Sequence, residues 1–301
     1  MDNSSPSSYH SGFVAVMGRP NVGKSTLINA LLKQKVAAVS PRPQTTRRRQ
    51  LGILTLPQAQ MIFIDTPGVH NPRHKLGERM NEEALEALEH TDLIAFIVDG
   101  GVPPTDEDLL LAGILNRLGK PEKILLLINK IDQLTDEMLN PRQAEYADMI
   151  PGASLHAVSA TRRDGLQELV TDLAQRLPQG EPYYPEEQVT DLYEREIASD
   201  LIREACLVFL REEIPHGIAV RIDDFQERGE EGAYIEATLI LERESHKGIV
   251  IGQGGLMLKK IGTAARKEIE AMSGRKVFLQ LRVKVRKNWR DDEKIVKQLF
   301  Q

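Results

Sequence analysis

Gly18-Arg19-Pro20-Asn21-Val22-Gly23-Lys24-Ser25 is the stretch that decides the fold. It matches the pattern GxxxxGK[ST], follows the apolar run Phe13 to Met17, and precedes a segment of helical spacing, Thr26 to Lys33. Strand, glycine-rich turn and helix in that order make a phosphate-binding loop. Its backbone N–H groups point inward and the helix N-terminus adds positive potential, so phosphate oxygens meet donors with no bulky side chain in the way. Lys24 would then reach the β- and γ-phosphates, and the Ser25 hydroxyl would ligate magnesium.

The neighbouring residues extend this site. Asp65-Thr66-Pro67-Gly68 closes the next clear strand, Gln60 to Asp65, and puts a carboxylate at the sheet's carboxyl edge, where ligands of such sheets bind. Asp65 would face the metal, and Gly68 would offer its N–H to the γ-phosphate because no side chain blocks the approach. Asn129-Lys130-Ile131-Asp132 ends the apolar strand Ile124 to Asn129 and chooses the base. The Asp132 carboxylate accepts from the guanine ring NH and exocyclic amine, whereas adenine would leave it unpaired. Ser159-Ala160, after Ser154 to Val158, suit a base-contacting loop. The expected ligand is GTP or GDP with magnesium.

Strand-length runs (also Leu93 to Val98) alternate with helical spacings, for example Asp106 to Leu118 and the series Leu166, Leu169, Leu173 and Leu177. That alternation predicts an α/β fold with a mainly parallel sheet flanked by helices. Arg48 to Leu56 reads as an added edge strand. Pro178 to Gln188 (PQGEPYYPEEQ) has no apolar period, so the domain boundary is placed there. The expected division is a polar leader over 1–10, a nucleotide-binding domain over 11–178, a linker over 179–190 and a second, smaller α+β domain over 191–301.

Composition fits this plan. The chain has 301 residues, 41% hydrophobic and 28% charged, which suits two globular domains and excludes wholesale disorder. Cys206 is the sole cysteine, so neither an internal disulfide nor a zinc cluster is available and a reducing cytoplasm fits best. His216 and His246 show no metal spacing. The net charge of −5 argues against a protein that coats nucleic acid by bulk electrostatics. It conceals a local patch, however: between Ser245 and Arg290 twelve basic residues face two acidic ones, Glu268 and Glu270.

Inside that basic segment lies Ile251-Gly252-Gln253-Gly254-Gly255, a GxxG turn that opens a helix marked by Leu258, Ile261, Ala265, Ile269 and Met272. Lys259 and Lys260 sit on this helix, as RNA contacts or as ordinary surface charge. Lys284, Arg286 and Lys287 could meet phosphates or anionic lipid alike. Trp289 reads equally as a stacking platform or as a core anchor.

The spacing and order of the nucleotide motifs resemble the translation-factor class of P-loop GTPases over about residues 11 to 178. The helix-strand-strand-helix-turn-helix-strand order after residue 190 resembles a type II KH domain, whose glycines let phosphates approach the main chain. The first resemblance implies a switch threonine that completes the magnesium shell, with Thr45 and Thr46 as candidates and Thr46 preferred. It also implies a potassium ion on Asn21 in place of an arginine finger. Val69 departs from the Ras-like pattern, since it stands where a glutamine would orient water, so unassisted hydrolysis should be slow. Both domains together resemble the bacterial ribosome-assembly GTPases. That implies binding of 16S ribosomal RNA near its 3′ end, a role in 30S subunit assembly, a monomeric state and peripheral contact with the cytoplasmic face of the inner membrane.

Overall fold

Buried strands alternate with amphipathic helices through the first half of the chain, and the helices fold back over a single sheet. The computed structural model describes residues 9–39, 49–68, 74–89, 91–227 and 232–299. Two compact units divide it. The first comprises Met1–Gln34, Arg49–His70 and Asn81–Asp191, and the second Lys35–Arg48, Asn71–Met80 and Leu192–Gln301.

In chain order the first part runs β1 (His10–Met17), α1 (Lys24–Leu32), β2 (Gln50–Leu56), β3 (Ala59–Asp65), α2 (Lys75–Glu89), β4 (Leu93–Asp99), α3 (Asp106–Arg117), β5 (Ile124–Asn129), α4 (Asp136–Ala147), β6 (Ser154–Ala157) and α5 (Leu166–Arg176). The six-stranded sheet has the order β2-β3-β1-β4-β5-β6. Only β2 runs antiparallel, against β3. The order reverses beside β1, and this switch point opens a crevice at the carboxyl ends of the strands. Ala15, Met17, Phe96, Val98, Leu126 and Ile128 alternate onto one buried face with Leu111 and Leu115 of α3 and Tyr146 of α4.

Two boundary expectations are corrected. His10 belongs to β1, and its ring Nδ1 lies 2.6 Å from the Leu177 carbonyl, so the segment read as leader contributes to the fold. The stretch 179–190 is not a free linker but is bonded along the first unit. Gly180 donates to the Tyr9 carbonyl and Ile53 to that of Val189. The fully buried Gln60 accepts from the Tyr183 and Tyr184 amides at 2.7 and 3.0 Å and donates to the Tyr184 carbonyl at 2.8 Å. A composition rich in Pro, Gly and Glu hides this because main-chain bonding leaves no apolar period.

The second unit has α6 (Glu194–Phe209), β7 (Ile218–Glu227), β8 (Ala233–Leu241), α7 (Glu244–Ile251), α8 (Leu256–Ser273), β9 (Val277–Val285) and α9 (Glu293–Leu299). Its sheet order is β7-β8-β9, with β8 and β9 parallel. Ile235, Ala237 and Leu239 of β8 pack against Ile202 and Cys206 of α6 and Ile261, Ala265 and Ile269 of α8. Ala219 and Ile240, on the opposite sheet face, are covered by Leu76, Met80, Val296 and Trp289. Trp289 is fully buried and its Nε1 donates to the Gly217 carbonyl at 2.8 Å, which settles the two readings of this residue: it is a core anchor.

Candidate nucleotide and nucleic-acid sites

The nucleotide motifs meet because each ends a strand of the parallel sheet. β1 runs into Gly18–Ser25, β3 ends at Asp65 and β5 at Asn129, and the chain after β6 brings up Ser159 and Ala160. Register holds the ends level: Val16 pairs with Asp65 and Asp99 with Asn129. At Gly18 a Cβ would lie 2.4 Å from the Ile97 carbonyl oxygen, so the loop can follow this path only with glycine. Gly23, at φ 104°, is the N-cap of α1, and a Cβ there would lie 2.4 Å from Asn129 Nδ2. The loop thus leads straight into the N-terminus of α1, whose first-turn amides suit an anion.

Lys24 is buried within that cradle, its Nζ donating to the carbonyls of Gly18 and Arg19, both at 3.0 Å. Burial pushes its ammonium down to about 8, against the pull of the nearby Asp65 carboxylate. A triphosphate would add to the counter-charge that Asp65 supplies to this ammonium. Ser25 Oγ donates to Asp65 Oδ2 at 2.7 Å, and Gln50 Nε2 donates to the same oxygen at 3.2 Å. One hydroxyl and one buried carboxylate at a strand end suit magnesium, which is held by one or two carboxylates and by substrate phosphates, not by an all-protein cage. Among the described residues no group of three or more His, Cys, Asp or Glu forms such a cage. Thr66 Oγ1 donates to the Val16 carbonyl at 2.7 Å, and Pro67 and Gly68 follow. Gly68 lies against the phosphate loop, where a Cβ would be 2.8 Å from Pro20 N. Thr45, Thr46 and Val69 lie outside the described residues.

The residues expected to read the base are tied to the loop Gly18–Ser25. Asn129 Nδ2 donates to the Val22 carbonyl at 2.8 Å while its Oδ1 accepts from the Ala160 amide at 3.0 Å. Ser159 Oγ donates to Asp132 Oδ1 at 2.6 Å, fixing the carboxylate that would face the guanine edge. Sequence reasoning missed two neighbours. Gln50 bonds to Asp65 from the antiparallel edge strand, and Asp99 takes Lys130 Nζ at 2.6 Å. The available signal for Asp99 was its place at a strand end beside Asn129.

In the second unit, Ile251 ends α7 and the turn follows. Gly252 stands at φ 74°, Gly254 at φ 57° and Gly255 at φ 80°. A Cβ on Gly252 would lie 2.8 Å from the Met257 backbone N, whereas Gly254 and Gly255 have nothing within 4 Å. Gln253 and Gly254 are exposed, so the main chain is open to a ligand there. Among the twelve basic residues of this region, Arg275 pairs with Glu194, Arg282 with Glu236, Arg290 with Glu242 and Lys247 with Glu244. Lys260 Nζ stands 4.6 Å from the Phe209 ring centroid, a cation–π placement. Lys259 is exposed on α8, and Lys284, Arg286 and Lys287 are exposed at the end of β9.

Comparisons with known proteins agree with both halves. The model of the 50S ribosome-binding GTPase family matches residues 13–130, and that of the KH domain matches residues 213–290. GTPase Era of Halothermothrix orenii is 45% identical over 97% of this chain and 98% of its own length. GTPase Era of Geobacter metallireducens is 44% identical over 97% of each. Among solved structures, Era in complex with MgGDPNP and nucleotides 1506–1542 of 16S ribosomal RNA superposes with a TM-score of 0.92 at 38% identity, covering 97% of this chain and 98% of that one. A variant of Aquifex aeolicus Era bound to GDP and AlF4⁻ gives 0.91 at 38% identity over 96% and 98%. With two family models in the expected order and near-complete coverage by such relatives, the chain belongs to the Era family of GTPases.

Proposed function

We propose that this GTPase is a switch that binds single-stranded ribosomal RNA near the 3′ end of 16S rRNA and assists 30S subunit assembly. The observation that carries the reading is Asn129, whose amide joins the phosphate loop at Val22 to the base loop at Ala160. A guanine nucleotide would thus meet one connected site. The solved Era structure with a 16S rRNA segment supports the choice of RNA.

In this reading the loop Gly18–Ser25 and the start of α1 at Thr26 bind the phosphates through amides, and Lys24 supplies a charge that burial has kept poorly solvated. Ser25, Asp65 and Thr46 hold magnesium, which when bound neutralises charge on the phosphate oxygens. Gly68 presents its N–H to the γ-phosphate, with Thr66 anchoring that turn to β1. Asp132 reads the guanine edge, and Lys130, Ser159 and Ala160 complete the base loop. Val69 offers no polar group to orient water, so the nucleophile would be held by backbone groups, a bound water chain or a partner, while Asn21 would hold a potassium ion supplying the charge of an arginine finger.

RNA is held at Ile251, Gly252, Gln253, Gly254 and Gly255, where phosphates approach the main chain, and by Lys259 and Lys260. Lys284, Arg286 and Lys287 extend the basic surface. Within the second unit, Lys35 Nζ pairs with Glu204 at 2.9 Å and with Glu268 of α8, the helix opened by the GxxG turn, at 2.7 Å. The protein works as a cytoplasmic monomer. A second reading, peripheral contact with anionic lipid of the inner membrane, is favoured by the exposed cluster Lys284, Arg286 and Lys287.

The test is the affinity for a 16S 3′-end oligonucleotide with a non-hydrolysable GTP analogue, with GDP and without nucleotide. Coupled sites should separate the states by about fivefold or more. Equal affinities in all three would remove the switch. Binding to phosphatidylglycerol vesicles without binding to RNA would favour the second reading.

A further inference from the structure

We propose that Asp99 is a positioning residue for the guanine-binding loop and, through Arg19, for the phosphate loop, so that one charge network grips base and phosphates together. The inference rests on the GTPase reading of this site.

Four side chains of alternating charge run in series across the first unit. Arg19 Nε lies 3.2 Å from Asp108 Oδ2, an Arg19 NH2 nitrogen 3.9 Å from Asp99 Oδ2, and Lys130 Nζ 2.6 Å from that same Asp99 oxygen. The two acids are set by the fold. Asp99 is the last residue of β4, in register with Asn129, and its Oδ1 accepts from the Gly101 amide at 3.0 Å, which stops the carboxylate from turning away. Asp108 is fully buried inside the first turn of α3 and completes its capping box with the N-cap Thr105, accepting from the Thr105 amide at 3.0 Å and the Thr105 hydroxyl at 2.8 Å.

The two bases belong to the ligand loops. Lys130 adopts φ 65°, a conformation that non-glycine residues hold only when their surroundings impose it. Its ammonium is tethered to Asp99, so its aliphatic stem is kept as an apolar cover instead of sampling rotamers. Arg19 carries the carbonyl that accepts from Lys24 Nζ at 3.0 Å, so the guanidinium held by Asp99 and Asp108 also fixes an anchor of the phosphate-binding lysine. Without Asp99 both loops would have to order when the nucleotide binds, a cost that appears mainly in its release rate.

The test uses the full chain carrying Asp99→Asn, a near-isosteric change that keeps an oxygen for the Gly101 amide, and follows release of fluorescent GDP. Release should quicken about tenfold and KM for GTP should rise equally, with kcat at saturation unchanged within about twofold. Inosine nucleotides should lose the same factor, because Lys130 covers the ring while Asp132 reads its edge. In a Lys130→Met background, adding Asp99→Asn should change release by clearly less than the full step, since only the Arg19 arm remains and coupled partners are not additive. Asp99→Ser gives a second route to the same readout. Unchanged release in both variants, a full step persisting in the Lys130→Met background, or a loss of thermal stability alone would overturn the role. A wild-type chain that binds no GDP would instead overturn the GTPase reading.

Discussion

Ser159 Oγ donates to Asp132 Oδ1 over 2.6 Å, so the plane of the carboxylate proposed to read the base is set before any nucleotide arrives. Asp132→Asn keeps an oxygen for Ser159 and turns the other carboxylate oxygen into an amide donor. GTP should bind at least about 100-fold more weakly, and xanthosine nucleotides, with a carbonyl where guanine has its amine, should be admitted. Equilibrium dialysis of both nucleotides checks this. An unaltered preference for GTP would show that another group reads the base.

Gly254 has open space around its missing Cβ but stands at φ 57°, so a side chain there meets backbone strain of about 1 kcal/mol and no clash. Gly254→Asp should therefore fold, keep GTP turnover within about twofold, and bind RNA at least about tenfold more weakly because a carboxylate meets phosphate. Filter binding and a phosphate-release assay on one preparation separate the two effects. Parallel loss of both would indicate misfolding.

Trp289→Ala should cost about 3–5 kcal/mol in the second unit, since it empties a fully buried site and leaves the Gly217 carbonyl without its indole donor. Denaturation followed by circular dichroism gives the number. Trp289 is also the only tryptophan, so wild-type emission should stay unquenched as RNA is added. Strong quenching with little loss of stability would restore the stacking reading.

Potassium should accelerate single-turnover GTP hydrolysis over sodium at matched ionic strength, and Asn21→Ala should erase most of that difference while leaving GDP affinity within about threefold. Equal rates in the two salts would leave the reaction without the proposed ion.

The parts legible from sequence are those whose meaning is local. Gly23, Lys24 and Ser25 declare themselves because the loop needs small residues, one long cation and one hydroxyl within a few positions, and strand and helix flanks follow from periodicity. Asp99, Arg19 and Asp108 gave no such signal as a network, because three separate elements bring them together: Arg19 follows β1, which pairs with β4, Asp99 ends β4 and Asp108 lies in α3. α4 (Asp136–Ala147) escaped periodicity because it is largely exposed, with Arg142 and Tyr146 its only buried residues and Pro141 inside it. Trp289 was undecidable beforehand because its partner, the Gly217 carbonyl, lies 72 residues away.

Gln60 has a practical consequence for dissecting the molecule. A nucleotide-binding fragment cut after Leu177 would keep the six strands yet strip this amide of its contacts with Tyr183 and Tyr184, leaving a fully buried side chain without three of its hydrogen bonds. It would also take the Val189 carbonyl and the Asp191 carboxylate away from the Ile53 and Leu51 amides, uncovering main-chain donors on the outermost strand and inviting aggregation. Fragments meant for titration or crystallisation should end beyond Asp191.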